Sequence, residues 1–407
     1  MYLILVKLIE VVARGCFIAG ITYSLPLNEA GQFGITQTLI GVFALCFGWE
    51  RHVDVQRRMV GDPEPSFDRA VMAALPFWGF NYLAMAPLFL ALNWAMARLD
   101  VAQLAMALVI VISEHIANQV YQMSLVNRRY RPLVALVAAK NLAVLAIVAP
   151  DMLFAPSRLT LTYALGLSAA LSAVSTLAIA IGWLRMKQNA PHETRFSLAN
   201  RIWPQHRASF THFRIGIVAF LMLQYDRLAV GTFASLSEAG IYFRHVLIVF
   251  FAYQLYTIAS FNRITPVIFA AAKQEPIRQL IGRLRREFIR LAALAVAGMA
   301  FAIGVDLALG GAISAKYHLR YGLALLLLVG TLIRVAADFS GMIVNARMRE
   351  AALLRAQLIA FACGAILLAA LTFALGIDGA ATASALTSGI YLLLVVRALR
   401  AIPETHQ

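Results

Sequence analysis

Charge is what this sequence has least of. Only 14% of its 407 residues are Asp, Glu, Lys or Arg, against roughly a quarter in ordinary soluble chains. Long hydrophilic stretches are missing as well, and the longest, Arg185 to Arg214, is too short to fold as a soluble domain. Cysteine is scarce. Cys16, Cys46 and Cys363 all lie inside apolar runs with no CxxC or paired spacing, which argues against a disulfide framework or a zinc site. Gly-x-Ser-x-Gly, His-Glu-x-x-His, Walker and Asp-x-Asp patterns are absent, so no hydrolase, metalloprotease or ATPase reading finds support and no cofactor is expected.

What is present is apolar. Hydrophobic residues make up 61% of the chain and the mean hydropathy is +0.76. Runs of about twenty such residues match a hydrocarbon slab of about 30 Å at 1.5 Å rise per residue. The sequence therefore predicts an all-α, polytopic integral membrane protein of about twelve transmembrane helices. The expected spans are Leu3 to Ser24, Phe33 to Trp49, Ala70 to Ala97, Val101 to Gln122, Pro132 to Ala149 and Leu159 to Leu184. They continue with Ile215 to Ala234, Ile241 to Asn262, Ile289 to Gly310, Leu323 to Asn345, Ala351 to Leu375 and Gly379 to Val396. The first run carries Lys7, Glu10 and Arg14 and no small-residue cleavage site, so it is expected to stay as a span.

The formal net charge is +15, yet the basic residues are scattered through short loops instead of gathering on one soluble face, and nucleic acid is not an expected partner. Topology accounts for them better. Alternate loops are rich in Lys and Arg: Arg51, Arg57, Arg58 and Arg69; Arg128, Arg129 and Arg131; Arg185 to Arg214; Lys273 to Arg290; Arg347, Arg349 and Arg355. The intervening loops hold little beyond Arg98, Arg158, Lys316 and Arg320. Because short cytoplasmic loops retain basic residues, both termini are expected on the cytoplasmic side of a bacterial inner membrane.

Leu27-Asn28-Glu29-Ala30-Gly31-Gln32-Phe33 returns half a chain later as Leu236-Ser237-Glu238-Ala239-Gly240-Ile241-Tyr242. Both copies fall in the outer loop after the first span of a six-helix half, which predicts two parallel repeats related by an axis along the membrane normal. The expected domains are an N-terminal bundle (1–184), a cytoplasmic linker (185–214) and a C-terminal bundle (215–407). Pro276 to Arg290 sets Ile277, Leu280, Ile281, Leu284 and Phe288 opposite Arg278, Arg283, Arg285 and Arg286. That pattern reads as an interfacial helix lying on anionic lipid, or as a charged turn.

Span number, the six-plus-six repeat and three local motifs carry a resemblance. The motifs are Leu27 to Gly34, Tyr225-Asp226-Arg227 leading to Glu238-Ala239-Gly240-Ile241-Tyr242, and Gly376-Ile377-Asp378-Gly379-Ala380-Ala381. The chain resembles polysaccharide flippases of the multidrug/oligosaccharidyl-lipid/polysaccharide exporter superfamily. The resemblance implies two six-helix bundles around a central cavity that opens alternately to either side. It also implies as cargo an undecaprenyl-diphosphate-linked oligosaccharide, with membrane lipids and glycan polymerase or assembly proteins as partners.

An ionised side chain at mid-helix costs roughly 2.5 to 3.5 kcal/mol on insertion scales, so such residues face a cavity or a partner. Arg14, Lys140, Asp226, Arg227 and Arg334 fall near helix centres, and Arg244 and Asp306 nearer the outer ends. Arg14 and Arg227 sit at similar depths in the first helix of each half. Arg14, Arg227, Arg334, Lys140 and Asp226 are the candidate substrate-binding residues, because guanidinium and ammonium groups suit the diphosphate that the resemblance implies. The bland alternative is local neutralisation by the i, i+4 pairs Glu10 with Arg14 and Arg334 with Asp338. Glu114 and His115 are the candidate ion-coupling residues; a helix-to-helix hydrogen-bond network with Asn118, Gln119 and Gln122 would serve equally. Trp78, Trp94 and Tyr121 read as packing or interfacial anchors before sugar platforms.

Three rivals remain. A membrane glycosyltransferase or polymerase lacks its acidic catalysts and large outer loop here. A non-transporting scaffold would be expected to carry extramembrane domains. A cation-coupled small-molecule or drug exporter is the nearest alternative, and the excess of basic over acidic residues at mid-helix weighs against it.

Overall fold

The computed structural model describes residues 2–51, 64–126, 128–187, 199–256, 262–272 and 274–402. Arg57, Arg58, Arg195, Lys273, positions 188–198 of the expected linker and positions 257–261 of the expected eighth span lie outside the described residues.

The described chain is helical throughout. In order the helices are α1 (Tyr2–Ser24), α2 (Leu27–Gly48), α3 (Glu64–Leu92), α4 (Val101–Val126), α5 (Arg131–Phe154), α6 (Leu161–Lys187) and α7 (Ala199–Phe233). Then come α8 (Leu236–Tyr256), α9 (Asn262–Ala271), α10 (Ile277–Ala308), α11 (Ala312–Tyr317), α12 (Tyr321–Ala346) and α13 (Glu350–Arg400). Hydrogen-bonding its own backbone lets an apolar helix cross hydrocarbon, where unpaired amides are costly. Among the described residues, 9 helices are long and apolar enough to cross a membrane. One of them, α13, is broken at Gly376 (φ 60°, ψ −136°), a conformation open only to glycine, and its arms 350–375 and 377–400 correspond to the last two expected spans. Large apolar side chains face outward on many helices, as lipid requires: Leu83, Phe154 and Phe373 are each more than 80% exposed.

Local chemistry sets several helix starts. At α4, Gln103 N–H donates to Asp100 Oδ1 (2.8 Å) and the Gln103 side chain accepts from Asp100 N–H (3.1 Å). At α8, Glu238 N–H donates to Ser235 Oγ, and that hydroxyl donates to the Glu238 carboxylate. The first is a reciprocal capping box, and in the second the Ser235 hydroxyl caps one orphan amide of the first turn while Glu238 orients it.

The chain divides into two compact units. The first comprises 1–25 and 35–220, the second 26–34 and 221–407. In the first, α1 lies along α5 and α4 along α6, around a core of Val6, Val120, Tyr121, Val134, Val137 and Ile179. The stretch 199–220 is helical and belongs to this unit, and 199–214 of it lies in the expected linker. Trp49 stacks on Phe213 at 3.8 Å between ring centroids, and His206 is hydrogen-bonded to the Asn81 side-chain oxygen at 2.9 Å. Those aromatic contacts extend α7 back beyond the predicted start at Ile215.

In the second unit α12 lies along α13 and packs on α8 and α10. The first turns of α2 and α8 cross here. A Cβ on Gly31 would run into the Leu236 carbonyl, and one on Gly240 into the Leu27 carbonyl. Asn28 and Ser237 are hydrogen-bonded through their side chains at the same crossing. The two copies of the sequence repeat therefore touch each other reciprocally. With no hydrophobic gain between helices in lipid, such close backbone approach is what packing can offer.

The segment expected to lie flat on the membrane does not form a separate helix. Positions 277 to 290 are the first turns of α10, continuous with the ninth span.

Candidate functional site

The mid-helix charges gather in two places, one in each unit. In the first unit, Glu114 on α4 receives two cations from different helices. Lys140 Nζ on α5 donates to Oε1 at 3.0 Å, and Arg14 Nη1 on α1 donates to Oε2. Lys140 is 5% exposed at its side chain, Glu114 13% and Arg14 33%. Glu10 does not pair with Arg14 as the i, i+4 spacing suggested. It takes Lys7 Nζ at 2.7 Å instead, and Lys7 also stands over the Tyr121 ring. Arg14 is thereby left to reach across to α4. Three cations against two carboxylates leave this network one positive charge in excess, and Arg14 is its most accessible member. Isolated charges do not survive in a low-dielectric interior, so each of these side chains is held by the others.

His115 follows Glu114 in sequence but leaves the helix about 100° away. It is fully buried on that other face, its Nδ1 hydrogen-bonded to the Tyr82 hydroxyl at 2.5 Å. Phe47, Trp78 and Tyr82 present their edges around it. The two candidate ion-coupling residues thus belong to different environments: Glu114 to the cations of α1 and α5, His115 to an aromatic box. Trp78 is buried in that box, whereas Trp94 is 67% exposed.

In the second unit, Asp226, Arg227 and Arg334 line one cleft with Thr331, Ser384 and Ser388. The Asp226 carboxylate accepts from the Tyr242 hydroxyl on α8 (2.7 Å) and from the Arg227 backbone N–H (2.9 Å). Arg227 Nη1 donates to Gln224 one turn back. Arg334 Nε donates to both oxygens of Asp338 (3.0 and 3.2 Å), and its guanidinium lies 5.0 Å from the centre of the Tyr391 ring. Two arginines face two aspartates here, so the cluster is neutral. The cleft encloses about 40 Å³, room for two or three waters and far too little for a sugar in this conformation.

Arg244 and Asp306, expected nearer the outer ends, are structural in their contacts. Arg244 donates to the Tyr317 carbonyl at 3.4 Å, and Asp306 accepts the N–H groups of Ile313 (2.8 Å) and Ser314 (3.1 Å), fastening the start of α11. Among the described residues no group of three His, Cys, Asp or Glu is placed to hold a metal.

The sequence did not point to Tyr82 or Tyr391, and it marked Tyr242 only as part of the repeat, not as a partner of Asp226. Tyr82, Tyr242 and Tyr391 each touch a candidate residue, and the signal that could have found them is a hydroxyl-bearing ring at mid-span where an aliphatic residue would pack as well.

Fold and charge placement define a polytopic α-helical membrane protein with ion-paired clusters inside its helices. No family model matches the sequence, and no curated protein matches it by sequence. Solved structures are similar in fold. A multidrug-resistance transporter of the MATE family, within the MOP superfamily, in an inward-facing conformation superposes with a TM-score of 0.64 at 13% identity, over 99% of this chain and 96% of the other. The lipid II flippase MurJ in an inward closed conformation gives 0.66 at 11% identity, over 98% and 88%. An outward-facing MATE family transporter gives 0.57 at 12% identity, over 98% and 95%. The chain therefore has the fold of MOP superfamily transporters.

Proposed function

We propose that this protein is a flippase that moves an undecaprenyl-diphosphate-linked oligosaccharide across the bacterial cytoplasmic membrane by alternating access. The observation that supports it best is the excess positive charge of the Arg14, Glu114, Lys140, Lys7 and Glu10 network, with Arg14 partly open. A diphosphate would complete that network by charge-assisted hydrogen bonds. Within the second unit, Arg227 and Arg334 are two further guanidinium groups suited to a diphosphate once they are separated from Gln224 and Asp338. Glu114 would act as the competitor. Protonating it frees Arg14 and Lys140 for the diphosphate, and deprotonating it returns them to the carboxylate and releases cargo. The fold shared with a lipid II flippase and with drug exporters is consistent with transport, and short loops with both termini cytoplasmic leave polymerisation or transfer of the glycan to partner enzymes.

A second reading, a cation-coupled drug exporter, draws on the neutral cleft, where Asp226 and Asp338 balance Arg227 and Arg334. Complementation separates the two. In a deletion strain, the wild-type gene should restore surface glycan and Arg14→Ala should not, with membrane levels of the protein unchanged. Surface glycan unaffected by the deletion, together with new sensitivity to cationic drugs, would favour the exporter.

A further inference from the structure

We propose that the arginine-rich beginning of α10 is a docking surface for anionic phospholipid headgroups in the leaflet that it adjoins. The helix has 32 residues, about 48 Å at 1.5 Å each, roughly 18 Å more than the hydrocarbon slab. The surplus falls at the end that carries Arg278, Arg283, Arg285, Arg286 and Arg290, because from Leu291 to Ala308 the only charge is Asp306. One face is buried through Ile277, Leu280, Leu284, Leu291 and Met299. On the open face Ile289, Leu294, Val296 and Phe301 are all more than half exposed.

At 100° per residue, Arg285 stands above Ile289 and Val296, and Arg286 above Arg290 and Ala293, all on the open face. Arg283 is held by Glu275 (2.5 Å) and Arg290 by Glu287 (3.1 Å). No carboxylate among the described residues pairs with Arg285 or Arg286. Between Arg278 and Arg286, a Cβ on Gly282 would meet nothing within 4 Å, so no described segment covers this face. Continuity of the helix is what sets the depth: it stands the two guanidinium groups about one turn above Arg290, at the level of lipid phosphates and over apolar side chains that acyl chains must cover. The charge complement of such a surface is a phosphodiester carrying acyl chains. This inference does not depend on the cargo proposed above.

Full-length protein in detergent, titrated with phosphatidylglycerol or phosphatidylcholine and read by native mass spectrometry, tests it. Wild type should retain phosphatidylglycerol preferentially. Arg285→Gln with Arg286→Gln should lower that occupancy on the order of tenfold, Arg285→Lys with Arg286→Lys should keep most of it, and Arg158→Gln should change nothing. Gel filtration and circular dichroism establish that the variants fold, and Arg286→Gln alone should move in the same direction. Equal retention of the two lipids by wild type, an unchanged preference in the glutamine variants, complete displacement by inorganic phosphate, or a dimer of this chain in place of bound lipid would each overturn the proposal.

Discussion

Asn28 and Ser237 stand 209 positions apart in the chain and are hydrogen-bonded to each other. They are also equivalent positions of the Leu-Asn-Glu-Ala-Gly and Leu-Ser-Glu-Ala-Gly repeat, so a position in one copy meets its own counterpart in the other. Gly31 and Gly240 complete the reciprocity, each lying against the first leucine carbonyl of the opposite copy. A self-complementary contact of this kind is what a local two-fold relation produces.

The crossing has no space for a methyl group. Gly31→Ala and Gly240→Ala should each destabilise the protein by roughly 1 to 3 kcal/mol, the usual cost of overpacking, seen as a lower unfolding temperature in detergent. Gly282→Ala, where nothing lies nearby, should instead be neutral or stabilising by about 0.5 to 1 kcal/mol through helix propensity. Equal behaviour of all three variants would refute the close approach.

Glu114 holds two cations, and removing its charge strands both. Glu114→Gln should cost about 3 to 5 kcal/mol, the range for breaking a buried ion pair from one side. Glu114→Gln with Lys140→Met should recover part of that loss, because the more deeply buried cation goes with its partner. Unfolding temperatures of the single and double variants decide the matter: no recovery would mean that the Lys140 contact contributes little.

Arg334 and Asp338 are bidentate at 3.0 and 3.2 Å on one helix face. A double-mutant cycle with Arg334→Ala and Asp338→Ala should return a coupling of about 0.5 to 3 kcal/mol. A coupling near zero would indicate that Arg334 is held by Tyr391 instead.

The helices were largely legible because apolar runs of bilayer length, punctuated by charge and glycine, leave little choice. Even the break between the last two spans was visible at Gly376-Ile377-Asp378. The start of α7 was not: residues 199–214 carry charge, and aromatic contacts of Trp49 with Phe213 and of Phe77 with His206 decide their structure. The same holds for the charges. The Arg334–Asp338 pair obeys a rule of one helix and could be read from spacing, whereas Glu10 and Arg14 obey the same spacing and do not pair. Lys7 lies nearer Glu10, and Arg14 finds a carboxylate 100 positions away. Single-helix spacing cannot rank a local partner against one supplied by packing.

A flippase is defined by translocation, which can be measured on the purified protein. Vesicles containing the purified protein and a fluorescent undecaprenyl-diphosphate oligosaccharide, with a membrane-impermeant quencher outside, report the rate at which the lipid changes leaflet. Translocation should depend on the protein and fall at least about tenfold in Arg14→Ala, as loss of a charge-assisted contact implies, and in Arg227→Ala likewise. Translocation at the wild-type rate by both variants would show that neither arginine carries the diphosphate.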